Sequence, residues 1–121
     1  IDADARRMLD RHARRMEREA KTLYRGAVPK QAAHGTFFAP SLFEIDRLTR
    51  LEGEVFGPIL HMIRYSADRL DAVIDAVNAT GYGLTLGVHS RIDHTIDHIH
   101  RRLRVGNAYV NRSMVGAMVG V

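Results

Sequence analysis

The sequence contains no cysteine. That excludes disulfides, thiolate metal sites and a cysteine nucleophile, so any chemistry that runs through sulfur must be supplied from outside these 121 residues. It leaves the redox compartment undetermined. Long apolar runs are also missing: none approaches the ~20 residues that span a bilayer. The opening Ile1-Asp2-Ala3-Asp4 lacks the basic and apolar regions of a signal peptide, and the chain is expected to be cytoplasmic, with no transmembrane segment. There is no Walker A sequence, no serine nucleophile elbow, no internal repeat and no low-complexity tract, which removes the commonest nucleotide-hydrolase and serine-hydrolase readings.

What is present is 45% hydrophobic content in 121 residues, enough for one compact domain with a core and too short for two ordinary ones. A net charge of +4 raises the question of nucleic acid. The distribution argues against a specific nucleic-acid partner. Arg6, Arg7, Arg11, Arg14, Arg15 and Arg18 are interleaved with Asp2, Asp4, Asp10, Glu17 and Glu19, with no aromatic residues between them to stack bases. A mixed solvated helix face accounts for them.

Between Asp4 and about Leu23, Ala5, Met8, Leu9, Ala13, Met16, Ala20 and Leu23 recur at three- and four-residue intervals, predicting an amphipathic helix; residues 1–26 are read as mainly helical. Gly26, Pro29 and Gly35 break the pattern. Phe37 to Ile45 reads as extended chain, and Pro40 makes an edge strand the expectation. Val55 to Tyr65 predicts a buried strand entered through Gly57-Pro58. Ser66 is the expected cap of a helix whose stripe is Leu70, Val73, Ile74 and Val77, ended by Gly81. Leu84 to His89 predicts a strand, Ser90 and Asp93 a capping box, and Ile92, Ile96, Ile99 and Leu103 a third helix that stops at Gly106 before a last strand, Asn107 to Asn111. Residues 36–121 thus alternate strand and helix. The expected class is α/β, a partial three-layer sheet with helices and mainly parallel, right-handed connections.

Gly81, Gly83 and Gly87 follow a helix and lead into a strand, the reverse of a dinucleotide fingerprint, so they read as a left-handed helix end, a tight turn and close sheet packing. His94 and His98 lie one helical turn apart, but a closed zinc site takes four ligands and no distant Cys/His pair completes one. No metal site is predicted.

Glu54-Val55-Phe56-Gly57-Pro58, Gly81-Tyr82-Gly83-Leu84-Thr85-Leu86-Gly87-Val88-His89-Ser90 and Gly106-Asn107-Ala108-Tyr109-Val110-Asn111-Arg112 together closely resemble the late catalytic region of the aldehyde dehydrogenases. The stretch from Asn107 to Val121 is similar to the final strand and substrate-anchoring loop of L-glutamate γ-semialdehyde (pyrroline-5-carboxylate) dehydrogenases, and the start of the chain to the corresponding part of bacterial bifunctional proline-catabolic enzymes. The resemblance implies NAD as cofactor, with Glu54 accepting hydrogen bonds from the nicotinamide ribose and Phe56 packing near the same half. A carboxylate has two acceptor oxygens for a vicinal diol, and an aromatic face covers a planar ring. It implies that Gly116 and Ala117 let the substrate's α-carboxylate approach successive backbone N–H groups. Ser113 and Met118 depart from the residues common at their positions, and the family's Gln-Pro-Phe-Gly-Gly continuation lies beyond Val121.

In that family a cysteine attacks the aldehyde and a glutamate activates the hydrolytic water. The chain has no such cysteine and matches no catalytic residue, so it is expected to be a fragment of a larger enzyme, inactive alone, with the small-molecule aldehyde and the remainder of the parent as partners. Self-association of the fragment is expected. FAD would belong only to a separate proline dehydrogenase domain of the parent, whose other domain also allows peripheral membrane association. Two rival readings are a different NAD(P)-dependent aldehyde dehydrogenase and a free-standing basic binding module.

Overall fold

In the computed structural model, which describes residues 1–32 and 34–115, the arginine-rich segment folds as helix α1, Ala3–Glu19. The Asp2 carboxylate accepts from the Ala5 amide at 2.7 Å and so satisfies one of the donors left unpaired in a first helical turn. Leu9, Ala13 and Met16 form a fully buried stripe, while Arg7, Arg11, Arg14 and Arg18 stay exposed. The helix stops short of the expected Leu23, because Ala20 turns extended and Lys21–Arg25 becomes strand β1. The β-branched and aromatic side chains Thr22 and Tyr24, together with a ladder partner, outweigh the helical spacing of Leu23.

That partner is β2, Ser41–Glu44, antiparallel to β1; β2 also pairs in parallel with β3, Ile59–Met62, in the order β1-β2-β3. The segment expected at an edge is therefore central. Pro40 permits this because it lies just before the strand, where its missing N–H costs no ladder bond and its carbonyl accepts from the Gly26 amide at 2.8 Å. Strand β3 is also shorter than expected: Val55 to Pro58 are loop, and the Pro58 carbonyl receives the Ser41 amide at 3.0 Å. Phe43 and Ile45 join Ala13 and Met16 in one buried cluster, with Ala20, Phe38, Leu51, Ile59 and Ile63 packed around it.

Residues 1–64 form one compact unit and the chain from Tyr65 onward another. In the second, a 3-10 turn, Ala67–Arg69, leads into α2, Leu70–Ala79, with Ile74 buried. Ser66 precedes the turn without a side-chain cap bond. Gly81 adopts φ +75°, the left-handed conformation expected of it, which a residue with a Cβ enters at a cost. Strands β4, Thr85–Val88, and β5, Asn107–Val110, pair in parallel across helix α3, Asp93–Arg102. The expected capping box is replaced: Ile92 stands at the cap position without a side-chain bond, and the Ser90 hydroxyl accepts from the Ile92 amide at 3.1 Å. Asn111 joins the ends of β4 and β5, donating to the Ser90 carbonyl at 2.9 Å and accepting from the Ser90 amide at 3.0 Å. The class is mixed α/β, with parallel pairing in two of the three ladders among the described residues, although β3 and β4 belong to separate sheets. Among the described residues no helix is long and apolar enough to cross a membrane.

A polar contact also ties α1 to β3. His12 and His61 meet with Nε2 atoms 2.9 Å apart and rings edge-on at 5.0 Å, and His61 stacks on Phe43. One ring must donate to the other's lone pair, which two imidazolium ions cannot do. Burial, then Arg15, lowers the His12 pKa against a smaller opposing pull from Glu52 and Glu19; burial, then His12 and Arg15, lowers that of His61. Both rings therefore take up protons more readily in the unfolded chain. Their contribution is complete above the ordinary histidine value of 6.5 and is lost as pH falls through the lower folded-state values. Denaturant titrations from about pH 8 to about pH 5 should show the first unit weakening below neutrality, and His12→Gln should flatten that slope. An identical slope in the variant would assign the pH dependence to other groups.

Candidate functional site

Between the 3-10 turn Leu48–Arg50 and β3, the chain crosses the surface of the first unit as a loop carrying Glu54 and Phe56. Its entry is held by Asp46, whose two carboxylate oxygens accept from Arg50 at 2.8 and 3.2 Å. That hydrogen bond, ahead of the nearby Arg47 and Arg50 charges, holds the Asp46 carboxyl below its usual range. Leu51 packs on the buried cluster, and next to it Glu52 accepts from Arg15 of α1 at 3.0 Å. At the far end, a Cβ on Gly57 would lie 2.6 Å from both terminal methyls of Leu9, so only glycine lets the loop sit this close to the helix. The Ile59 amide then bonds the Gly57 carbonyl at 2.8 Å, turning the chain into β3.

Between these holding points Glu54 is exposed and the Phe56 ring is 80% exposed, unusual for a side chain of that size. An acidic acceptor and a bare aromatic face two residues apart fit a ligand that offers hydroxyl donors beside a flat ring. The nicotinamide ribose half of NAD is such a ligand. The two residues singled out for cofactor binding are thus brought onto one surface loop. Gly116 and Ala117, singled out for the substrate carboxylate, lie outside the described residues. The chain leading to them runs past β5, where the Met114 sulfur sits over Gly87 so closely that a Cβ there would be 2.9 Å away, in keeping with the close packing expected of that glycine.

The histidine run has a structural part. His98 Nε2 lies 2.6 Å from Asp71 Oδ1, and Arg102 reaches Asp71 at 2.6 Å and Asp75 at 2.9 Å, so the polar face of α3 is bonded to α2. The His98 hydrogen bond is the main cause of a lowered Asp71 pKa. His94 stacks on His98 with centroids 6.3 Å apart. Among the described residues, no group of three or more His, Cys, Asp or Glu is placed to hold a metal ion.

Sequence reasoning missed the residues that hold the loop. Leu9 was legible as core, but its facing Gly57 was read only as a turn; Arg15 was read as solvated surface, and its partner Glu52 lies 37 positions away. The one available signal was spacing, since Leu9, His12 and Arg15 recur every third residue on one side of α1.

All of residues 1–121 match the model of the aldehyde dehydrogenase family. The chain is 47% identical over 126 aligned residues to the bifunctional protein PutA of Klebsiella aerogenes, covering 100% of this chain and 10% of that protein. A solved Bradyrhizobium japonicum proline utilization A variant superposes with a TM-score of 0.91 at 51% identity, covering 100% of this chain and 12% of that one. The 1-pyrroline-5-carboxylate dehydrogenase from Thermus, solved with bound NAD, gives a TM-score of 0.84 at 32% identity, covering 99% and 23%. The chain spans about 10% of the length of the curated relatives it first matches. With its whole length matched by the family model and its fold shared with solved relatives at up to 51% identity, the chain belongs to the aldehyde dehydrogenase family.

Proposed function

We propose that this chain is a single piece, residues 1–121, of the catalytic domain of an NAD-dependent dehydrogenase that oxidises L-glutamate γ-semialdehyde, formed from pyrroline-5-carboxylate, to glutamate in proline catabolism. The observation that carries the reading is the exposed Glu54 and Phe56 pair on a loop held from both sides. Glu54 accepts hydrogen bonds from the ribose diol, and Phe56 covers the flat nicotinamide half and keeps water from it. NAD, when bound, supplies the acceptor for the electrons leaving the aldehyde. Gly116 and Ala117 receive the substrate carboxylate on backbone N–H groups, and this contact, not the cofactor loop, selects the aldehyde. Similarity to bifunctional PutA proteins and to a 1-pyrroline-5-carboxylate dehydrogenase solved with NAD supports the assignment.

The nucleophile lies on another segment of the parent, because the chain offers no thiol, and by the family resemblance the base that activates water lies there too. FAD belongs to the parent's separate proline dehydrogenase domain. The parent works in the cytoplasm, and its other domain provides any peripheral membrane contact. The remainder of the parent covers what the isolated chain leaves open, including Leu60 on strand β3 and Tyr24 on strand β1, both more than half exposed.

Three measurements test this reading. In the full-length parent, Glu54→Gln should raise the NAD dissociation constant and slow single-turnover hydride transfer about tenfold, since a neutral amide replaces a charged acceptor; unchanged affinity and rate would reduce Glu54 to a surface residue. The isolated 121-residue chain should not oxidise the semialdehyde with NAD above the buffer rate, and genuine turnover by protein freed of contaminants would overturn the fragment assignment. Light scattering coupled to size exclusion should show the isolated chain self-associating with rising concentration through its bare apolar surface. A thermally stable monomer at every concentration would favour a free-standing module.

A further inference from the structure

We propose that α1 is the positioning element of the Glu54–Phe56 loop, with Leu9 and Arg15 as positioning residues that set where the carboxylate and the ring stand. This rests on the assignment of those two residues to NAD. Helix and loop meet at successive points along one side of α1. Arg15 Nη1 donates to Glu52 Oε1 at 3.0 Å, just before Glu54. Leu9, fully buried, presses both terminal methyls on Gly57, just after Phe56. His12 contacts His61 Nε2 to Nε2 at 2.9 Å, which fixes β3, the strand into which the loop runs. Each step of three residues falls about 60° short of a full helical turn, so Leu9, His12 and Arg15 wind round one flank of α1, and the loop and the strand after it follow that flank.

The contacts are unequal. Glu52 is 82% exposed and its pairing with Arg15 is screened by water, so it steers the loop more than it stabilises it. The contact of Leu9 with Gly57 has no slack: a single added methyl must displace either a buried leucine or the loop. Because the helix side is held by the core that Ala13 and Met16 share with Phe43, the loop is the part that yields. A displacement of Gly57 moves Phe56 and Glu54 with it, one and three positions upstream.

The test is made in the full-length dehydrogenase with Gly57→Ala, Leu9→Ala and the double variant. Gly57→Ala should raise the KM for NAD and lower single-turnover hydride transfer by roughly 10- to 100-fold, the scale on which a ~1 Å misplacement acts, with the KM for the aldehyde little changed. Without cofactor, hydrogen exchange of the peptide covering residues 52–58 should accelerate in the same variant. The double variant should regain most of the loss, since truncating Leu9 removes both methyls that the new Cβ meets. Should the core variants fold poorly, Arg15→Glu should raise the KM for NAD a few-fold, on the order of what an exposed ion pair contributes, and the charge swap Arg15→Glu/Glu52→Arg should restore it. Losses that simply add in the double variant, or a Gly57→Ala enzyme with wild-type NAD affinity and wild-type loop exchange, overturn the inference. A Glu54→Gln enzyme with unchanged NAD affinity overturns the site assignment instead, whatever Gly57→Ala does.

Discussion

Leu9, Ala13 and Met16 cannot be left in water, and the burial of that one stripe of α1 organises the first unit. Ala13 and Met16 pack with Phe43 and Ile45, which come from β2 and the residue after it, and so set the helix on the middle of the sheet. Burying a side chain the size of leucine or methionine contributes about 1.5–3 kcal/mol, several times what an exposed ion pair gives. The arginines on the other side of α1 are accordingly free to serve local pairing and loop steering without deciding the fold. Arg15, whose side chain is 24% exposed, stands at the margin between these roles, beside the His12 and His61 pair and within reach of Glu52.

Polar groups in both units are arranged to close elements onto one another. In the second unit Asn78 donates to the Arg102 carbonyl at 2.9 Å and accepts from the Arg104 amide at 3.0 Å, meeting backbone groups that the end of α3 leaves unpaired. Asn111 does the same between the ends of β4 and β5, at φ 54°, a conformation asparagine tolerates better than most residues. Several of the basic side chains are matched to named acidic partners, Arg102 with Asp71 and Asp75, Arg64 with Glu44, Arg50 with Asp46. Glu54 and Phe56 stand exposed on a surface loop, a position in which a ligand can reach a side chain.

Helical periods and punctuation made α1, α2 and α3 legible, down to the left-handed Gly81, because each depends on neighbours within one or two turns, and β4 and β5 were legible as short apolar runs between turn residues. The central place of β2 was not legible: Pro40 looked like an edge signal, and its position one residue before the ladder is decided by pairing partners on both sides. Leu23 kept helical spacing yet went into a strand for the same reason. Glu54 and Phe56 were singled out only through likeness to a family. No local pattern distinguishes a cofactor glutamate from any other before a glycine-proline turn.

What the sequence determined by itself is therefore whatever short-range forces control: the existence of the three helices, which face of α1 is apolar, and that the chain carries no thiol. Tertiary structure alone decided that His12 meets His61 across 49 positions, that Arg15 meets Glu52 across 37, and that Leu9 leaves no room for a side chain at Gly57. Those contacts depend on distances between elements, which are set only when the buried stripe has found its sheet. They are also the contacts that hold the Glu54–Phe56 loop, so the geometry of the candidate site is a property of the packed unit and not of the motif.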